Sequence, residues 1–422
     1  MTPDRCLASF ALAAAAALAA PAQQFVRLPT AASVVVAVTF GRGLADDPPA
    51  RWGAARLVAE CRLARARADL PRGAASGLRV TEDATIVFAQ VPAADAAAAI
   101  AFAAAVAGDG GGLDDDALRL ARARVALAAD DDEWRFPGSV LQSRARAALF
   151  ADGRARPLSG SAAALSALPL AELRDLLRHP APLAIAAFGA VSAELQRALL
   201  ALVPAAAPPH RAAMPAPPRQ VAGDGAEPPT EILHPLVDAP FVGFAFPAPA
   251  PAQWPAFAVG IEVAKLRAAA WLPARPEQLR ARAPVVAWSW LDGDPVVVFT
   301  ARARGAGRAD ATLRKVAGFV ANLGTAPPTA AELDSAKATL QSEIAPLPWT
   351  AAQQHAFAAN DAALVGRVVQ ALLAQARGVD RAGIAAVDGG AVAESLRATL
   401  APDRCHRAVL RPTAAGAGGP VR

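Results

Sequence analysis

The sequence predicts an α+β protein made of two similar domains. Three observations lead there. A stretch rich in Pro, Ala and Gly with no apolar period, PAAAPPHRAAMPAPPRQVAGDGAEPP at residues 204–229, divides the 422-residue chain near its middle. Nearly equal lengths flank it. Each flank runs from a short β-rich segment into a helix and ends on a helix or strand. The plan is residues 23–203, a linker at 204–229, residues 230–411, and a disordered tail at 412–422.

In the first half, SVVVAVTF is a β-branched strand, and a helix follows from about Trp52 to Ala68. TIVFAQV is the next strand. ADAAAAIAFAAAVA, DDDALRLARARVALAAD and GSVLQSRARAALFA read as helices, and PLAELRDLLRH as a helix opened by a proline. PLAIAAFGAV is a strand, and SAELQRALLALV a helix with Ser192 as N-cap. The second half repeats the plan. APFVGFAFPAP is a strand and AQWPAFAVGIEVAKLRAAAWL a helix. APVVAWSW and DPVVVFTARA are strands around the turn LDGD. ADATLRKVAGFVANLG ends as a helix at Gly324. TAAELDSAKATLQSEIA has Thr329 as cap and Glu332 three residues on, a capping box. GAVAESLRATL and CHRAVLRP close the chain as helix and strand. The repeated plan suggests an internal duplication.

Residues 1–22 read as a secretory signal peptide. Arg5 supplies the positive start, Leu7–Leu18 the apolar stretch, and Ala20-Pro21-Ala22 the small-x-small cleavage pattern, so the mature chain starts near Gln23. The apolar stretch is shorter than the roughly 20 residues that span a bilayer. A soluble protein of the periplasm or the secreted fraction is expected, with no membrane span after cleavage. The net charge is +5, yet only Lys265, Lys315 and Lys337 among 42 basic residues are lysine. The arginines are scattered among acids, with no basic stripe or motif, which argues against nucleic-acid binding. Cys61 and Cys405 remain after cleavage; an exported protein could join them, but two separate buried thiols are the preferred reading.

The histidines carry no chemistry of their own. His179 precedes Pro180 at a helix end, where a cation suits the dipole. His210 lies in the linker, and His234, His355 and His406 are isolated from one another. No Gly-x-Ser-x-Gly run supports a serine triad. GDGGG at residues 108–112 joins helices and does not follow a strand, against nucleotide binding.

Four stretches, in order, resemble the insulinase/pitrilysin-type zinc metallopeptidases, the family that includes the mitochondrial processing peptidase and the bc1 core proteins. GRGLADDPPARWGAARLVAE is similar to that family's Gly-Ser-x-x-Asp-Glu stretch before its metal helix. DDDEWRFPGSVLQSRARAALFADG resembles its acidic turn, proline and helix; AELDSAKATLQSEI resembles its Glu-Leu-x-x-Ala-Lys helix; VAESLRATLAPDRCHRAVLRP resembles its closing helix and strand. The resemblance implies two domains, each a mostly antiparallel sheet with helices packed on one face.

It also implies a site, from which this sequence departs. Active members carry His-x-x-Glu-His, two imidazoles one helical turn apart for zinc and a glutamate to activate the bound water. Matched through Gly53 and Ala55, those three positions hold Arg56, Ala59 and Glu60. The distal glutamate falls near Ala128–Asp130, with Ala129 and Asp130 the matched positions; Asp130, Asp131 and Asp132 could serve only with a slipped register. Arginine stays protonated and repels a cation. Zinc is therefore expected to be absent. Arg56 and Glu60, spaced i,i+4, either pair across the site or stand as unrelated surface charges. In the second domain the family's substrate-binding Arg and Tyr match LRARAPVVAWSW, where Arg282 could be the arginine and Trp288 stands near the tyrosine position; the chain contains no tyrosine. Trp288 and Trp290 could equally pack in or beside a sheet.

The expectation is an exported pseudopeptidase, the peptide-holding partner of an active family subunit or of a second copy of itself. A structural subunit without a peptide role is the first alternative. A peptidase with a rearranged metal site, using Glu60 and Asp130–Asp132, is the second.

Overall fold

A computed structural model describes residues 24–27, 31–108, 114–135, 137–151, 160–178, 182–202, 228–270, 284–288, 293–344, 368–370, 373 and 381–413. The expected signal peptide, nearly all of the linker and the tail lie outside the described residues, as do His179, His210, His355, Arg282 and Trp290.

Two five-stranded sheets form the frame. The first holds β1 (Gln24–Arg27), β2 (Ser33–Phe40), β3 (Ala75–Val80), β4 (Thr85–Pro92) and β5 (Ala184–Gly189) in the order β1-β5-β2-β4-β3. The second holds β6 (Thr230–His234), β7 (Phe241–Pro247), β8 (Val285–Ala287), β9 (Val296–Arg302) and β10 (His406–Pro412) in the order β6-β10-β7-β9-β8. The two orders are the same path drawn twice. In each sheet the first strand pairs in parallel with the last, β1 with β5 and β6 with β10, and every other pairing is antiparallel. This shared topology is what a duplicated domain would leave behind.

Burial explains why β2 reads as a continuous apolar run. Every residue of SVVVAVTF is buried, because the strand is covered on both faces. Val34, Val36, Val38 and Phe40 face the helices of their own half: α1 (Ala54–Arg67), α2 (Ala96–Ala107) and α7 (Ala193–Leu200). Val35 and Ala37 point the other way, with Ile86, Ala186 and Phe188, into the cluster that also fills the second sheet's core. There β7, β9 and β10 pack on α8 (Trp254–Ala270), α9 (Ala309–Thr325), α10 (Ala330–Glu343) and α12 (Gly389–Thr399); the short α11 (Arg381–Ala386) adds Ile384.

The halves are not independent. After α3 (Asp115–Arg135), α4 (Pro137–Leu149) leaves its own half and lies on the opposite face of the second sheet. Ala145, Leu149 and Phe150 pack on Ala245, Val296 and Val298, and Val140 and Leu141 on Ile232, Ala408 and Leu410. Gly243 makes room, since a Cβ there would sit 3.3 Å from Leu141 Cδ1. Two short helices, α5 (Ala162–Ala167) and α6 (Leu170–Arg178), complete the first half. Helices thus cover one face of each sheet from its own half, and α4 adds a cover to the second sheet from the other.

Three strands went unread in the sequence: β1, β3 and β6. All are sheet edges. The capping expectations match the structure: Ser192 Oγ accepts from Leu195 N, and Thr329 and Glu332 form the reciprocal box. Both cysteines are free thiols in separate apolar environments, Cys61 on α1 and Cys405 just before β10. Burial pushes each thiol up to about 12, with Glu60 adding to the effect at Cys61, so both stay protonated and inert. Among the described residues, no helix is long and apolar enough to cross a membrane.

Candidate functional site

The helix that matches the metal helix is α1, and the chain takes care over its start. Gly53 precedes it with φ of 99°, and a Cβ there would stand 3.0 Å from Gly160 Cα. Both the backbone sign and the close approach require glycine. Ahead of it, Asp47 turns its carboxylate onto the helix N-terminus: Oδ2 accepts from Gly53 N at 3.1 Å and from Ala55 N at 2.9 Å, and Oδ1 from Ala55 N at 3.1 Å. Arg42 approaches Oδ1 at 3.4 Å. The negative end of the side chain meets the positive end of the helix. Burial nevertheless dominates and raises Asp47 from its ordinary 3.8 to about 6, against the pull of Ala55 N–H and Arg42. Asp47 was visible in the sequence only as part of an acidic turn; its distance of eight residues from Ala55 hid its role as a cap.

One side of α1 lies on the first sheet through Ala59, Leu63 and Ala66. The neighbouring side packs on α3 through Ala54, Leu57, Val58 and Cys61, against Leu118, Ala121, Val125 and Ala129. The matched positions divide accordingly. Ala59, where the family has its base, is 1% exposed in the sheet-side core. Ala129, one candidate for the distal ligand, is 2% exposed in the dry cluster between α1 and α3. Arg56 and Glu60 are half-buried, one helical turn apart. Asp130 continues α3, but its side chain lies outside the described residues, as do those of Asp131 and Asp132.

Two further arginines line this region, Arg62 on α1 and Arg42 beside its start. A cavity of about 20 Å³ is lined by Phe40, Arg42, Ala55, Val58, Ala59, Arg62 and Thr85, room for little more than one water. Arg62 is 2% exposed. It donates to Val106 O at 2.9 Å and Leu177 O at 2.8 Å, the last turns of α2 and α6, and its guanidinium carbon lies 4.3 Å over the Phe40 ring. A cation suits two helix C-termini and an aromatic face. The residue therefore ties three helices to one strand.

The donor set among the described residues does not fit zinc. A catalytic zinc takes three protein ligands and a water. At the matched positions Glu60 is the one oxygen donor whose side chain is described, Ala59 and Ala129 are methyl groups, and Arg56, Arg42 and Arg62 bring positive charge. No group of three or more His, Cys, Asp or Glu side chains that could hold a metal ion occurs among the described residues.

In the second half Trp288 is 7% exposed and packs edge-on against Trp254 and Phe257, with ring centroids 6.4 and 4.7 Å away. Its indole N–H donates to Asp294 O at 2.8 Å. A substrate could reach this ring only if the surrounding core moved. A wider, solvent-open cavity of about 450 Å³ lies between α8 and α9, away from α1, with Arg267 on its wall already bound to Glu332 at 2.8 and 3.0 Å. The pairing, together with the Thr329 cap, lowers Glu332 to about 2.

No protein-family model and no curated protein matches the sequence. The fold does find counterparts among solved structures. A protease from Helicobacter pylori superposes with a TM-score of 0.65 at 15% identity, covering 92% of this chain and 96% of the other. A peptidase M16 inactive domain from Pseudomonas fluorescens gives 0.64 at 17%, covering 94% and 96%. Pitrilysin gives 0.55 at 14%, covering 92% of this chain but 43% of its own. The chain has the two-domain α+β fold of the insulinase-like, M16-type proteins, and its length answers to somewhat less than half of pitrilysin.

Proposed function

We propose that this protein is a non-catalytic counterpart of the M16-type peptidases, exported from the cell, that holds peptides as the partner of an active peptidase subunit or of a second copy of itself. The observation that carries this reading is α1. Its glycine turn, its Asp47 cap and its seat between sheet and α3 are intact, while the positions for ligands and base hold Arg56, Ala59, Glu60 and Ala129. The start and seat of such a helix are present, while among the described side chains at the matched positions Glu60 alone could donate to a metal.

Two further features support the finer parts. The chain matches under half of pitrilysin, as one part of a two-part assembly would. β3 is a sheet edge that pairs only with β4 among the described strands, so its outer side can accept an extended peptide by strand addition. Arg67 occupies one point of that edge, donating to Ser76 Oγ at 2.7 Å and Ser76 O at 2.9 Å. Export rests on the leader-like residues 1–22.

The test is elemental analysis of the dialysed mature protein, paired with a peptide-digestion assay. Well under one zinc per chain, with peptide bound and left uncut, is expected. One tightly held zinc per chain that Glu60→Ala removes, or metal-dependent cleavage by the chain alone, would replace this reading with the rearranged metal site.

A further inference from the structure

The joint between the halves contains a buried cluster of three charges. Arg146 on α4 is 1% exposed. It donates from Nη1 to Glu82 Oε1 at 2.7 Å and from Nη2 to Asp294 Oδ1 at 2.9 Å. Glu82 belongs to the turn between β3 and β4 of the first half, and Asp294 to the turn before β9 of the second. α4 also sends Gln142, which donates through Nε2 to Asp294 Oδ2. The backbone N–H of Val296 donates to Asp294 Oδ1 at 3.1 Å, and Trp288 binds the Asp294 carbonyl, so Asp294 is fixed in the second half. Glu82 is fixed in the first: Gly43 packs so close that a Cβ there would fall 2.4 Å from Glu82 C and Asp83 N.

Among the described residues the charges do not balance. Two carboxylates face one guanidinium, and Asp83 stands next in the chain. Glu82 Oε2 is buried without a hydrogen-bond partner. Leaving one buried oxygen of an ionised carboxylate unpaired is costly, and protonation lessens that cost by removing the charge. The groups facing Glu82 are Arg146 from α4, Asp294 from the second half and Asp83 from its own turn. Desolvation raises the Glu82 carboxyl; Arg146 opposes this, and Asp294 and Asp83 add to it.

We infer that Glu82, Arg146 and Asp294 form a pH-dependent latch that seats α4 between the two halves, tight when Glu82 carries a proton and loosened when it is charged. With Glu82 neutral, the cluster is one cation and one anion. With Glu82 ionised, it carries a net negative charge in a dry joint. The seated state binds the proton more tightly than the released state. Its advantage is therefore complete below the ordinary carboxylate range and is lost as the pH rises through the elevated value of the seated form. α4 is the element that responds, because its apolar contacts with the second sheet are two small clusters, separate from the large core that spans both sheets.

Hydrogen exchange on the full chain tests this. The protection of α4 amides, taken relative to those of α2 to cancel the intrinsic rate, should fall as the pH is raised above the ordinary carboxylate range. The fall is roughly tenfold for each unit by which the Glu82 pKa differs between seated and released states. Glu82→Gln keeps an oxygen for Arg146 and removes the charge; its relative protection should stay high and flat with pH. A wild-type ratio that does not change with pH, or a Glu82→Gln protein that keeps the wild-type slope, overturns the latch. If Glu82→Gln fails to fold, Asp294→Asn leaves one carboxylate for one guanidinium and should flatten the slope as well; an unchanged slope there overturns it equally.

Discussion

Single residues show how the fold places its buried charges. Asp47 caps the α1 N-terminus through its carboxylate. Because its pKa is raised from 3.8 to about 6, the folded state binds the proton more tightly than the unfolded one. Its contribution to stability is full below about pH 4 and is lost as the pH passes about 6, a change on the order of 3 kcal/mol. An Asp47→Asn protein should lack that decline. Urea titrations of both proteins on either side of this range check it, and identical pH dependence would remove Asp47 from the account. Arg56 and Glu60 give the second residue-scale prediction. If they pair along α1, a double-mutant cycle on Arg56→Ala and Glu60→Ala should show coupling of about 0.5 kcal/mol. Additive effects would mean two independent charges. Asp47 as cap and Arg62 as tie were not legible beforehand, since their partners lie 5 residues away at the nearest and 115 at the farthest.

Elements were legible where their signal is local. The apolar run of β2, the periodic helices and the Thr329–Glu332 box are all written within a few residues. In the box, Thr329 Oγ1 accepts from Glu332 N at 3.3 Å and Glu332 Oε2 accepts from Thr329 N at 2.8 Å. Thr329→Ala should therefore cost about 1 kcal/mol, measured as a shift in the denaturant midpoint at unchanged slope. A variant as stable as the parent would show that the Arg267–Glu332 contact holds the α10 start without the cap. The strands that escaped notice, QFVR, ASGLRV and TEILH, are short edges. Half-exposed edge strands lack the strong apolar alternation of central ones, and what makes them strands is the neighbour they pair with.

At the scale of the molecule, the two sheets repeat one topology and share a core, while α4 crosses from the first half to cover the second sheet. The proposed partner role is tested at this scale. Light scattering on the mature protein, with and without an M16-type subunit from the same cell, should show self-association or complex formation burying on the order of 1,000 Å² or more. A strict monomer that ignores every such subunit would remove the partner role and leave the fold untouched.

The sequence by itself determined the class of fold and the caps at Ser192 and Thr329. Those features are carried by residue types and spacings that act within one or two turns. The tertiary structure alone decided which strands stand at the edges, that Ala59 and Ala129 fill two different dry cores, and that Trp288 turns inward. It alone brought Arg146 to Glu82, 64 residues away, and to Asp294, 148 residues away. Contacts at such separations depend on how sheets and helices stack, and no local pattern in the chain encodes the partner of a buried charge.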